Sequence, residues 1–350
     1  MFKIGMLPRK FSAAQRDLKH SQERVRLEAI ADLARSSDGE KAAAREALAG
    51  VLLDPVAQVR AKALVALADL GRSDRLEDGF LSILNAVKSS LTDPSEMVRQ
   101  MACLAIGELG QPEDTALTSA LRPFLRATDP GLRFQSLNAF TRLRGQGWAG
   151  ELALALQDRD PYVCRIALRL LDEVAVEHGA QCRQESSLEA HLRALLSADD
   201  LLNSALAEIA LFDLGYDVKL RATLRVLGRK LRGAEPVDVQ AAIETVAFAG
   251  ETLALPLLRR RAFGLFGISW DPFRWLAIAA LARLDDPQGQ EVLAKGLRNP
   301  KETERFAALQ ALITIRLASM EPEVKLAREE GHSFPDELLK MLAESAGFSS

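Results

Sequence analysis

Residues able to act as nucleophiles, general bases or metal ligands are few in this 350-residue chain, and they are scattered. The four histidines, His20, His178, His191 and His332, stand far apart. No His-Glu-x-x-His or Cys-x-x-Cys spacing sets two ligands on one helical face. His178, Cys182 and His191 come nearest to a cluster, but Gly179 and the polar run HGAQCRQESS at 178–187 read as a mobile connection rather than a rigid helix. Gly264 and Gly267 have neither the spacing nor the lysine of a phosphate-cradling loop. No catalytic residue, metal or cofactor is therefore assigned, and binding rather than catalysis is expected. Cys103, Cys164 and Cys182 are odd in number and dispersed, which argues against a disulfide framework and for a reducing, cytoplasmic setting.

Two stretches stand out as chemistry of recognition. KLRATLRVLGRKLR, residues 219–232, carries six basic residues and no acid. Arg221, Arg225 and Arg229 recur every fourth residue and form one strip, while Leu220, Leu224, Leu227 and Leu231 form the other face. Arg259, Arg260 and Arg261 follow at the corresponding place one segment later. Such a strip is either a solvated face balanced by nearby acids or a site for an anionic partner. FGLFGISWDPFRW, residues 263–275, gathers Phe263, Phe266, Trp270, Phe273 and Trp275 around Arg274. Trp and Arg are frequent interface anchors, so Trp270, Phe273, Arg274 and Trp275 are candidates for partner contact as well as for core.

Whatever these residues do, helices must hold them. In DPVAQVRAKALVALADLG, residues 54–71, Asp54 is read as an N-cap and Pro55 as the first helical residue. Val59, Ala63, Leu64, Leu67 and Leu70 lie on one stripe, and Gly71 supplies the stop. Variants of this stretch recur. Counterparts of Arg60 fall at Arg26, Arg99, Arg133, Cys164, Ser204, Gln240, Arg274 and Arg305, spaced by 31 to 40 residues. Three places on stand Ala29, Ala63, Ala102, Ser136, Ala167, Ala207, Ile243, Ala277 and Ala308, mostly small side chains that permit close helix approach. Seven places on come Leu33, Leu67, Ile106, Phe140, Leu171, Leu211, Ala247, Leu281 and Leu312, the expected core stripe.

Partner helices are predicted over 12–19, 40–53, 77–92, 113–127, 148–158, 187–197, 217–232, 251–264 and 287–298. Two helices in each period of roughly 35 residues is the span of stacked helical hairpins. With tight Asx-Pro turns such as Asp93-Pro94 and Asp129-Pro130, the pattern resembles the HEAT-repeat family, in the shorter form common in bacterial proteins and in lyase-type repeats of phycobilisome assembly. The resemblance covers about residues 10–318. It implies an all-α, right-handed superhelix of about nine hairpins forming a single domain over 1–350, with 1–11 and 319–350 as terminal caps. It also implies a polar ladder in which Asp54, Asp93 and Asp129 engage Arg60, Arg99 and Arg133. Cys164, Ser204 and Gln240 break that ladder, so looser or altered stacking is expected there.

The composition agrees with this reading. It is 48% hydrophobic and only 5% aromatic, suited to closely packed helices, and its net charge of −3 gives no global pull toward nucleic acid or anionic lipid. No run is long enough to span a membrane. The resemblance implies a non-catalytic scaffold presenting a curved surface to another protein, whether a peptide, a helix or an acidic surface. Second helices would line that surface, placing Phe134, Arg165 and Arg169 with Trp275 on it. The same resemblance includes enzymes. A deoxyhypusine hydroxylase would need His-Glu dipeptides, and this chain offers only the reversed Glu177-His178. An alkylpurine DNA glycosylase would need a cationic concave face, and no motif carries over a bilin lyase activity.

Overall fold

The computed structural model describes residues 11–71, 79–228, 234–264, 269 and 271–347. Contacts divide it into two compact units, Met1–Leu170 and Leu171–Ser350. Described residues form helices and turns, with no strand among them. The first unit pairs α1 (Phe11–Asp17) with α2 (Glu23–Leu33), α3 (Lys41–Val51) with α4 (Ala57–Leu70), and α5 (Phe80–Ser89) with α6 (Glu96–Leu109). α7 (Thr115–Leu121) with α8 (Pro130–Arg142) and α9 (Trp148–Ala155) with the start of α10 (Pro161–Gln184) complete it. The second unit holds the rest of α10, then α11 (Leu188–Leu195), α12 (Leu201–Asp213), α13 (Arg221–Gly228), α14 (Pro236–Phe248) and α15 (Leu255–Phe263). It continues with α16 (Arg274–Arg283), α17 (Pro287–Leu297), α18 (Glu302–Thr314), α19 (Glu321–Glu329) and α20 (Asp336–Gly347).

The all-α repeat class expected from the periodicity is the one observed. Within each unit the second helices of successive hairpins stack: α2 on α4, α4 on α6 and α6 on α8, then α12 on α14, α14 on α16 and α16 on α18. All nine residues from Ala29 to Ala308 at the small position have no measurable exposure. The stripe four residues beyond is equally closed, from Leu33 to Leu312. Burying each of its larger side chains contributes about 1.5–3 kcal/mol.

The polar ladder has a repeated geometry. Arg60 donates through Nη1 to the carbonyls of its own turn, Asp54 and Pro55, at 2.7 and 3.3 Å. Its Nε and Nη2 fork reaches forward to Asp93 of the next turn, both bonds at 2.8 Å. Arg26 repeats the pattern on His20, Ser21 and Asp54, and Arg133 on Ala127, Thr128 and Asp158. Two expected pairings change. Arg99 keeps only its own turn, at Asp93 and Pro94, while the amide of Gln100 takes Asp129 at 2.8 Å. Arg133 forks onto Asp158, two residues before the Asp160-Pro161 pair.

Where cysteine and serine replace arginine, the inward half of the pattern survives. The Cys164 thiol donates to the Leu156 carbonyl, and the Ser204 hydroxyl to the Leu195 and Ala198 carbonyls. Gln240 turns instead to Glu244 of its own helix. A thiol or hydroxyl is too short to reach the next turn from the same place on the helix.

Two local expectations need correction. α4 begins at Ala57, because the Asp54 carboxylate holds the Val56 amide in an Asx turn ahead of the helix. Pro130, by contrast, does open α8, with Asp129 capping the Leu132 amide. Residues 178–184 are not a loop: α10 runs on to Gln184, anchored by fully buried Cys182 and by Arg183, which donates to the Leu214 carbonyl at 3.3 Å. The C-terminal cap is helical as α19 and α20. Most of the N-terminal cap, residues 1–10, lies outside the described residues.

Candidate functional site

The sequence candidates separate once their neighbours are known. On α8, Phe134 packs edge-on against Tyr162 at 5.9 Å between ring centroids, and Arg165 and Arg169 sit half-buried on α10. On α16, the Trp275 indole donates to Glu304 at 2.8 Å, beneath the Arg274 guanidinium at 5.0 Å from the ring. The far edge of that ring lies so close to Gly296 of α17 that a Cβ there would fall 2.2 Å from it. Trp275 thus closes the joint between α16 and α17. Phe273 is half-buried, its amide held by Asp271. Trp270 and Arg229 lie outside the described residues.

The basic strip divides in two. Arg259 binds Asp286, and Arg261 binds both the Leu227 carbonyl and Asp271. These two arginines tie helices together. Arg260 is exposed on α15. Arg221 and Arg225 are exposed on α13, whose opposite face buries Ala222, Thr223, Val226 and Leu227.

A site that sequence reasoning missed lies where α10, α12 and α14 come together in the second unit. Asp172, Asp213 and Glu244 converge there on a cavity of about 410 Å³, with Val176, Val237, Phe248 and Arg316 around them. The carboxyl groups of Asp172 and Asp213 adjoin each other, so that a hydrogen bond between them needs a proton. Desolvation, then that bond, pushes Asp213 up to about 8. Asp213 is exposed along one edge while its carboxyl group is crowded by protein. Desolvation raises Asp172, assisted by the charge of Asp238, and raises Glu244, assisted by the charge of Asp172. Carboxyl groups crowded this way cost stability, and such crowding is concentrated at functional sites.

Arg316 gives the cavity its counter-charge, lowering Glu244 in part. Its φ of 51° belongs to the left-handed region that helix ends usually give to glycine. Arg283 and Arg316 lie over the Phe248 ring, at 4.8 and 5.8 Å from its centroid. Val176 and Val237 are 80% and 50% exposed, an apolar rim beside the acids. The cavity therefore joins net negative charge to open apolar surface. Among the described residues no group of three His, Cys, Asp or Glu is arranged to hold a metal, and no helix is long and apolar enough to cross a membrane. Cys103, Cys164 and Cys182 are free and buried, and desolvation pushes the thiols of Cys103 and Cys182 up to about 12 and about 11.

Stacked helical hairpins with this ladder define a helical-repeat protein. The HEAT-repeat family model matches residues 83–111, the hairpin of α5 and α6. An engineered protein of known structure is similar over 97% of this chain and 98% of its own, at 18% identity and a TM-score of 0.41. A designed armadillo repeat protein is similar over 59% of this chain and 100% of its own, also at 18% identity and a TM-score of 0.41. Among curated proteins none matches.

Proposed function

We propose that this chain is a non-catalytic scaffold that holds a basic segment of a partner protein in the cavity of α10, α12 and α14. The observation that supports this is the convergence of Asp172, Asp213 and Glu244 beside exposed Val176 and Val237. A guanidinium or ammonium group entering the cavity replaces the shared proton and meets carboxylates already assembled. The rim accepts the apolar side chains that flank it. Because α10, α12 and α14 hold the acids in place before binding, little ordering is lost on association.

Calorimetric titration of the whole protein with a Lys-, Arg- and Leu-containing peptide tests the reading. Binding should release protons, so the measured heat changes with buffer ionisation enthalpy, and it should strengthen from pH 6 to pH 8.5 as the carboxyl groups ionise. Asp172→Asn with Glu244→Gln should weaken it by about tenfold. Equal affinity in that double variant, or the absence of proton release, would remove the cavity as the docking site.

A further inference from the structure

A second cavity in the same unit, about 590 Å³ between α11, α12 and α13, has the opposite character. Arg193, Lys219, Arg221 and Arg225 line it, over half-buried Leu196, Leu201 and Val218. It also contains two acids, and their placement matters. Glu208 is buried, and its carboxylate accepts the Ala222 and Thr223 amides at 2.9 and 2.8 Å and the Thr223 hydroxyl at 2.8 Å. This carboxylate caps α13 from the neighbouring helix and is fully engaged. Asp217 is exposed, and its carbonyl receives a long contact from Arg193, which pairs with Glu189 on its own helix. Among the described residues, no carboxylate takes the side chains of Lys219, Arg221 or Arg225.

We propose that this cavity binds an acidic segment of a partner protein, its carboxylates on Lys219, Arg221 and Arg225 and its apolar side chains against Leu196, Leu201 and Val218. A peptide fits better than a nucleic acid, for a reason visible one hairpin further on. Arg259 and Arg261 are already neutralised by Asp286 and Asp271. Of the three arginines at 259–261 only Arg260 is left without a carboxylate among the described residues, which does not extend the α13 patch into the long run of cations from which a polynucleotide draws its affinity. Carboxylates also suit guanidinium forks, and the apolar floor gives an amphipathic segment a second foothold. The site is separate from the carboxyl cavity and does not rest on it.

The test is fluorescence anisotropy of the full chain with a labelled peptide of Glu, Asp and Leu, its Gln and Asn counterpart, and a labelled DNA duplex. The acidic peptide should bind, weakening by about tenfold or more in Arg221→Glu with Arg225→Glu and again as salt rises from about 50 to about 300 mM. Lys219→Ala with Arg221→Ala and Arg225→Ala provides a milder variant, with circular dichroism reporting retained helix. Arg260→Glu on α15 and Asp213→Asn in the carboxyl cavity should each leave the affinity within about twofold. The proposal is overturned if the α13 variants bind as wild type, if the amide peptide binds as tightly, if the duplex binds as tightly, or if Asp213→Asn abolishes binding.

Discussion

Arg60 shows how much one side chain does in this array. It closes its own turn and clamps the next one through Asp93, with the two side chains only 12% and 11% exposed. Arg60→Ala strands a buried carboxylate, and the expected loss is about 3 kcal/mol in a chemical unfolding curve. Arg60→Lys should recover only part of it, since one ammonium cannot fork. The same pair has a pH signature. The hydrogen bond from Arg60 holds Asp93 below its ordinary value, so its contribution is present above the ordinary carboxylate range and lost as pH falls through the lowered value. Arg60→Ala should flatten the acid limb of the stability profile, and an unchanged limb would show that the pair is not the source.

At the scale of helices, the carboxyl cavity loads α10, α12 and α14 in the opposite sense. Asp213 is raised to about 8, so between its ordinary value and about 8 the folded chain holds a proton that the unfolded chain has released. Stability should therefore decline as pH rises through that window. The gain in melting temperature from Asp213→Asn should grow across that window and be about 2–4 °C larger at pH 9 than at pH 5, a modest difference because Asp213 is itself exposed. A parallel decline in both proteins would reject the shared proton as the cause. None of this was legible in the sequence. Asp172, Asp213 and Glu244 occupy different offsets from their repeat anchors, and each alone reads as an ordinary surface acid. The basic residues were legible as a strip, but what divides Arg221 from Arg259 is Asp286, which arrives a whole hairpin later. The helices themselves were readable because the small position and the core stripe recur together. The length of α10 was not, since Gly179 and a polar run hid the burial of Cys182.

Across the whole molecule, stability is the sum of many neighbour contacts rather than of one core, and those contacts are unequal. Forward bridges link the turns from Arg26 through Asp158, while Ser204 and Gln240 make none between α12 and α14. Amide exchange read by mass spectrometry should therefore be about tenfold faster in α12 and α14 than in α4 and α6. Faster exchange in α4 and α6 would show that packing outweighs the ladder. The ladder also has a direction, because every bridging side chain reaches toward a residue later in the chain. Synthesis from the N-terminus delivers Arg26 and the carbonyls of its own turn before Asp54, and Arg60 with its turn before Asp93. The hairpins of Arg26, Arg60 and Arg133 thus each carry a cation that receives the turn delivered next, and the direction of the ladder is the direction of translation.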